Sequence, residues 1–295
     1  MKTQRLERIG ELFKTYLNLC PSKEALLTML NEAELAERVY NSNAIENSSV
    51  TLPETEEILF KQKLSRRISL REIFETKNLA LVYSYIQKNQ NLTFNIENIL
   101  LLHKMLLTNI DNKIAGQLRQ KDELVRVGSH IAVPGEFVVA RLQKAIDKFK
   151  KDLITPYLHK VASFHSEFEN IHPFADGNGR IGRVINNWLL SEQKFPVIIV
   201  RNKNKKNYYQ GLRSYDASFN PKLMHRFFEL AMLESLHKRL ASLQNLNIMP
   251  LVKYAKLNNQ APQKLLNSAR RQTIAAFREK GVWKIGLAST PLESA

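Results

Sequence analysis

Apolar residues recur at three- and four-residue intervals along most of this chain, the spacing that lays an apolar stripe along an α-helix. EAELAERVY (32–40), NIENILLLHKML (95–106), ARLQKAIDKFKKDL (140–153) and PKLMHRFFELAMLESLHKRLASL (221–243) all follow it. So does LHKVASFHSEFENI, where Leu158, Val161, Phe164, His165 and Phe168 share a stripe. One stretch departs from the pattern: in ELVRVGSHIAVP (123–134) Val125 and Val127 alternate with polar neighbours, the chain turns at Gly128-Ser129, and Ile131 and Val133 resume the alternation. A β-hairpin on an all-α body is the predicted architecture. ASLQNLNIMP (241–250) carries no charge and ends at Pro250, so a boundary is expected there, setting off residues 241–295 as a small domain.

Composition adds a size and a partner class. The chain has 295 residues, 44% of them apolar, enough to fill a sizeable core. It has no 18-residue apolar run, and MKTQRLERIGELF lacks the apolar stretch of a secretory signal, which points to the cytoplasm. Cys20 is the single cysteine, so neither an internal disulfide nor a cysteine-rich zinc site is available. The net charge of +16 suits polyanionic partners.

HPFADGNGRIGR (172–183) concentrates the candidate chemistry. Gly177, Gly179 and Gly182 spell G-x-G-x-x-G, but a dinucleotide loop needs a strand before it, and here the preceding residues are helical. The P-loop reading fails as well, because Arg183-Val184 stands where Lys-Ser/Thr is required. The physics survives both labels. Pro173 ends the preceding helix, and Asp176-Gly177-Asn178-Gly179 offers backbone N–H groups ahead of a new helix whose N-terminus favours an anion. That helix has Ile181, Val184, Ile185, Trp188 and Leu189 on one face and Arg180, Arg183 and Asn187 on another. His165, Glu169 and His172 share helical spacing and could face a metal together, but the H-E-x-x-H pattern is absent and Pro173 takes His172 out of the regular helix. His165 reads as a core or supporting residue, and His103, His130, His159, His225 and His237 receive no chemistry.

The segment resembles, at every specified position, the Fic-domain motif H-P-F-x-[D/E]-G-N-G-R-x-x-R. Gly116-x-x-Arg119, the hairpin and Asn207-Tyr208-Tyr209-x-x-Leu212 resemble that family's layout too, across about residues 30–240. The resemblance implies a mainly helical Fic fold with a hairpin flap: residues 1–95 as an N-terminal helical region, 96–240 as the Fic core and 241–295 as a basic appendage. It implies a protein adenylyltransferase, in which a Ser, Thr or Tyr hydroxyl of a target, or of the chain itself, attacks the α-phosphorus of ATP. His172 would be the general base and Asp176 the Mg2+ ligand. Gly177, Asn178 and Gly179 would cradle phosphates through their N–H groups, with Arg180 on the β-phosphate and Arg183 on the γ-phosphate. The flap would dock the target by strand addition. Tyr208 and Tyr209 either pack on adenine or fill the core.

Upstream, Ser42-Asn43-Ala44-Ile45-Glu46-Asn47 resembles the family's inhibitory motif [S/T]-x-x-x-E-[G/N], at the end of a helix that Asn47 closes. The resemblance implies that Glu46 pairs with Arg183 and withholds it from ATP. In some members that glutamate also assists hydrolytic removal of AMP, and the sequence leaves open whether this chain does so. It also leaves open a homodimer.

The tail is the most basic stretch: between residues 250 and 295, Lys253, Lys256, Lys264, Arg270, Arg271, Arg278, Lys280 and Lys284 face only Glu279 and Glu293. Helices at 251–255, 265–269 and 274–277 followed by a strand at 282–285 resemble a small helix-turn-helix or winged-helix module. Arg270, Arg271, Arg278, Lys280 and Lys284 are its candidate phosphate contacts. The alternative function is accordingly a DNA-binding regulator whose nucleotide site serves as a sensor. The intact His172 favours the enzyme, since a sensor needs the cradle but no base.

Overall fold

The structure, a computed structural model, describes residues 4–61, 66–121, 123–127 and 130–288. The chain divides into two compact units. The described residues within 1–33, 194–198 and 229–295 form one, and those within 34–193 and 199–228 the other.

The second unit is helical. It contains α3 (Leu35–Ile45), α4 (Leu52–Glu56), α5 (Leu70–Lys88), α6 (Ile96–Leu107), α7 (Gly135–Lys151), α8 (Tyr157–Ile171), α9 (Asn178–Glu192) and α10 (Lys205–Ser218). Local chemistry starts several of them. Thr51 and Glu54 form a capping box at α4, Ser69 Oγ accepts the Glu72 N–H at α5, and Asn95 Oδ1 accepts the Asn98 N–H at α6. The core beneath the site is aromatic. The Phe94 ring meets Phe149, Phe164 and Trp188 edge-on at centroid distances of 5.5, 5.1 and 5.3 Å, gathering α7, α8 and α9 around the start of α6. Each such pair adds ~0.5–1.5 kcal/mol to the area it buries. The hairpin is present as β1 (Arg126–Val127) antiparallel to β2 (His130–Ile131), with Arg126 opposite Ile131. Its expected turn at Gly128-Ser129 lies outside the described residues.

The polar face expected on α9 exists but does not meet water. Arg180, Arg183, Asn186 and Asn187 are as buried as the apolar stripe, because α3 and α5 pack over that side.

The first unit holds α1 (Gln4–Leu19), α2 (Glu24–Ala33), most of α11 (Lys222–Leu243), α12 (Leu251–Leu257) and α13 (Pro262–Arg271). It also holds an antiparallel sheet of β3 (Asn247–Pro250), β4 (Ala276–Glu279) and β5 (Val282–Leu287), in the order β3-β5-β4. Leu251, Ala255, Leu265, Ala269, Ala276 and Ile285 form its small core. Two expectations change here. Residues 241–250 form the end of α11 and strand β3 within one unit, and residues 4–33 belong with the C-terminal segment rather than with 34–95. The helix expected at 274–277 is β4: Ile274 and Phe277 have helical spacing, but Gln272 adopts a left-handed conformation (φ 56°) that ends α13, and Ala276 to Glu279 pair with β5.

A candidate phosphate-transfer site at the start of helix α9

His172 stands at the end of α8 in a left-handed conformation, φ 52° and ψ 63°. Pro173, which has no N–H to give and whose ring would strike the helix, prevents continuation. The strained turn is held by Arg119, 3% exposed, whose Nε donates to the His172 carbonyl at 2.7 Å and whose Nη2 donates to Ile171 O at 3.2 Å. The same guanidinium donates to Glu123 O and Val133 O at 2.7 and 2.6 Å, on either side of the hairpin. His172 itself is partly buried, with Nδ1 3.3 Å from Glu169 O. A carbonyl only accepts, so the neutral ring carries its proton on Nδ1 and its lone pair on Nε2.

The loop after His172 is braced from within. The Asn178 side chain bonds both the N–H and the carbonyl of Phe174, at 2.8 and 2.7 Å. The Phe174 ring stacks on His103, with centroids 3.7 Å apart. His103, to which the sequence assigned no chemistry, accepts the Gly116 N–H on Nδ1 and donates from Nε2 to Asp176 O, each at 3.0 Å. Burial pushes its pKa down to about 4, so it stays a neutral brace. Nothing in the sequence near His103 signals this; only the fold brings residues 103, 116 and 176 together.

Gly177, at φ 83°, opens α9 in a backbone conformation that costs other residues energy. Its N–H donates to Asp176 Oδ1 at 2.6 Å. Of the three N–H groups expected to meet phosphate, that leaves those of Asn178 and Gly179 at the helix start. Burial raises the Asp176 pKa, but Arg180, the Gly177 N–H and Arg71 together hold it below the usual carboxylate range.

One turn along, Arg183 donates from Nε to Ser42 Oγ (2.9 Å) and from Nη2 to Ser42 O (2.9 Å) and Glu46 Oε1 (2.7 Å). The two halves of the upstream motif thus meet one arginine. The Glu46 carboxylate also lies against Gly179, where an added Cβ would clash with Oε1. It therefore fills the space over Gly179 as well as engaging the cation. Although burial opposes it, Glu46 raises the Arg183 pKa, so the guanidinium is permanently charged.

Behind Arg183 lies a buried polar layer. His165 Nε2 and Tyr208 Oη are 2.8 Å apart, and Tyr208, 1% exposed, also bonds Arg183. Tyr208 therefore belongs to the core, because its ring has no open face for a base. Tyr209 is only half-buried. Burial, and secondarily Arg183, pushes His165 down to about 3. Glu169 Oε1 has no hydrogen-bond partner among the described residues, and no cluster of three metal-ligating side chains exists among them, so the 165/169/172 metal face is not formed. Burial lifts Glu169 to about 8 from an ordinary 4.5. A raised carboxyl stabilises the fold fully below the unfolded value, and that contribution fades as pH rises through the folded one. Glu169→Gln should therefore melt above wild type at pH 9 by several degrees more than it does at pH 5. Parallel melting differences at both values would show that Glu169 is not neutral in the fold.

Residues 93–190 match the family described as "Fic/DOC family". The protein adenylyltransferase Fic of Drosophila willistoni is 31% identical over 207 residues, 65% of this chain and 41% of that protein. A Fic-domain-containing signalling protein from Bacteroides thetaiotaomicron superposes with a TM-score of 0.73 at 22% identity, over 80% of this chain and 97% of that one. A Fic family protein from Desulfovibrio desulfuricans G20 superposes over 98% of both chains, with a TM-score of 0.71 at 18% identity. The chain spans less than half the length of the curated relatives it matches. Residues 93–190 of this chain are a domain of the Fic/DOC family.

Proposed function

We propose that the chain is a protein adenylyltransferase that transfers AMP from ATP to a Ser, Thr or Tyr hydroxyl of a protein, and that Glu46 restrains it. One observation carries the reading: the carboxylate of Glu46, which caps the C-terminus of α3, sits against Gly179 and on Arg183, where a cradle built for an anion would take phosphate. The name carried by relatives about 30% identical over some 70% of the chain supports it.

His172 Nε2, the lone-pair nitrogen, takes the proton of the attacking hydroxyl. The Asn178 and Gly179 N–H groups and the α9 N-terminus receive the phosphates, and Arg183 orients their far end once Glu46 withdraws. Asp176 fits Mg2+, being a single carboxylate kept charged beside a phosphate cradle. Bound there, the metal would neutralise charge on the phosphate oxygens. Tyr209, half-buried on α10 with Lys205 over its ring, is the remaining contact for the base. Incubating wild type, Glu46→Gly and His172→Ala with labelled ATP and a cell lysate tests the whole scheme. Absence of label in Glu46→Gly would reject it.

The C-terminal module reads as a winged helix offered to duplex phosphates, because α13 turns Lys264, Arg270 and Arg271 to solvent. Arg278 and Lys284, expected among the contacts, are engaged elsewhere. Arg278 is buried against Glu234 and over Trp283, and Lys284 is held by Glu279. Duplex DNA should bind the full chain with affinity that falls steeply between 50 and 200 mM salt, and Arg270→Ala with Arg271→Ala should flatten that slope by about two. A slope unchanged by the double substitution rejects the surface.

A further inference from the structure

Asp176 lies in a closed ring of charges. Its Oδ2 accepts from Arg71 Nη2 at 2.9 Å and its Oδ1 from Arg180 Nη2 at 3.0 Å. Glu75 Oε1 completes the ring, 3.2 Å from Arg71 Nε and 3.1 Å from Arg180 Nη1. Arg71 and Glu75 stand one turn apart on α5, far in sequence from the loop. Two cations meet two carboxylates, so the ring is formally balanced, and both oxygens of the one carboxylate suited to a metal are already taken by guanidinium groups.

The two arginines differ in how firmly they are held. The Arg180 side chain is 4% exposed, walled in by α5 and α9, whereas that of Arg71 is 57% exposed. Exposed ion pairs exchange readily with water and ions, so Arg71 is the member that can leave. Arg180 Nε, buried and without an acceptor among the described residues, shows that the ring does not satisfy every donor around it.

A divalent ion on Oδ2 would stand directly against the Arg71 guanidinium, cation beside cation, so the two compete for that oxygen. A free metal would add two positive charges to a ring in which Arg71 and Arg180 already balance Asp176 and Glu75, with nothing to compensate them. A metal complexed to a polyphosphate brings excess negative charge, and those oxygens give the displaced guanidinium a bidentate partner. We propose that Arg71 is the resident cation of the Asp176 carboxylate, closing it to free divalent ions and yielding it to a metal that arrives with a nucleoside polyphosphate. This rests on the reading of the site as a metal–nucleotide centre. Arg71 is a positioning residue in it, supplied by a helix outside the signature loop.

The test uses the full chain and Mn2+ alone, followed by the spin resonance of the free ion. Arg71→Ala should bind Mn2+ without nucleotide roughly tenfold more tightly than wild type, the order expected when one close like charge leaves a half-exposed carboxylate. Arg71→Gln, which keeps the length and loses the charge, should do the same, and adding Asp176→Asn to either should erase the gain. In the Glu46→Gly background, Arg71→Ala should weaken binding of the non-hydrolysable α,β-methylene ATP with Mn2+. Equal Mn2+ affinity in wild type and both Arg71 variants, or a gain that survives Asp176→Asn, overturns the proposal. If Glu46→Gly binds no nucleotide at all, the adenylyltransferase reading fails, while the Mn2+ titration still decides the role of Arg71.

Discussion

His172→Ala should abolish AMP transfer in the Glu46→Gly background while leaving nucleotide binding intact. General-base catalysis by one positioned imidazole contributes about 10²–10⁴-fold, and the alanine variant forfeits all of it. Nucleotide affinity is spared because the cradle is held by other means: Asn178 ties its own loop, His103 holds the Asp176 carbonyl, and Arg119 grips the carbonyl of residue 172 whatever its side chain. The measurement is therefore a pair, labelled AMP on protein and calorimetric affinity for a non-hydrolysable ATP analogue. Transfer persisting within an order of magnitude of the parent would mean that another group takes the proton. A parallel collapse of nucleotide affinity would mean that His172 holds the nucleotide rather than the hydroxyl.

Releasing the restraint is expected to act as strongly in the other direction. Glu46→Gly removes the carboxylate that both engages Arg183 and lies against Gly179, so Arg183 regains a bidentate face and the space over Gly179 is opened. A nucleotide misplaced by about 1 Å loses ~100-fold in rate, and labelling should rise by about that factor. Glu46→Gln separates the two effects, because the amide fills the same space without competing as an anion, and it should release only part of the restraint. Equal labelling of wild type and Glu46→Gly would mean that the contact is structural. The exposure of the Glu46 side chain, 37% against 4% for Arg183, fits a partner that can swing away while the arginine stays fixed.

How much of this was written in the sequence follows from how local each signal is. α8, the turn at Pro173 and the start of α9 depend on neighbours in the chain, and periodicity with one proline and two glycines is enough to read them. The meeting of Ser42, Glu46 and Arg183 spans about 140 residues and was legible only because a short pattern resembles a known one. Arg71, Glu75 and His103 have no such pattern. They lie on ordinary helices and acquire a role through tertiary packing. Tyr208 was ambiguous because a tyrosine beside a nucleotide and a tyrosine in a core have the same spacing; burial decided it. Strand β3, only four residues long and ending in proline, looks like a joint until β5 pairs with it, and β4 carries a helix-like i, i+3 pair that backbone pairing overrides.

The ion pair between Arg278 and Glu234 bears on how the molecule can be dissected. Glu234 Oε2 lies 2.5 Å from Arg278 Nη2, and both are nearly excluded from water. His237 likewise shares a bond with Gln272, which also receives Arg8 from the first helix. Cutting the polypeptide at residue 245 to obtain the basic module would strand a sequestered guanidinium, a loss of ~3–5 kcal/mol, from a fold whose own apolar centre is six small or medium side chains. Deletions within residues 4–33 or 229–288 touch this same body, so variants trimmed there should be judged by thermal melting before any conclusion is drawn from lost binding.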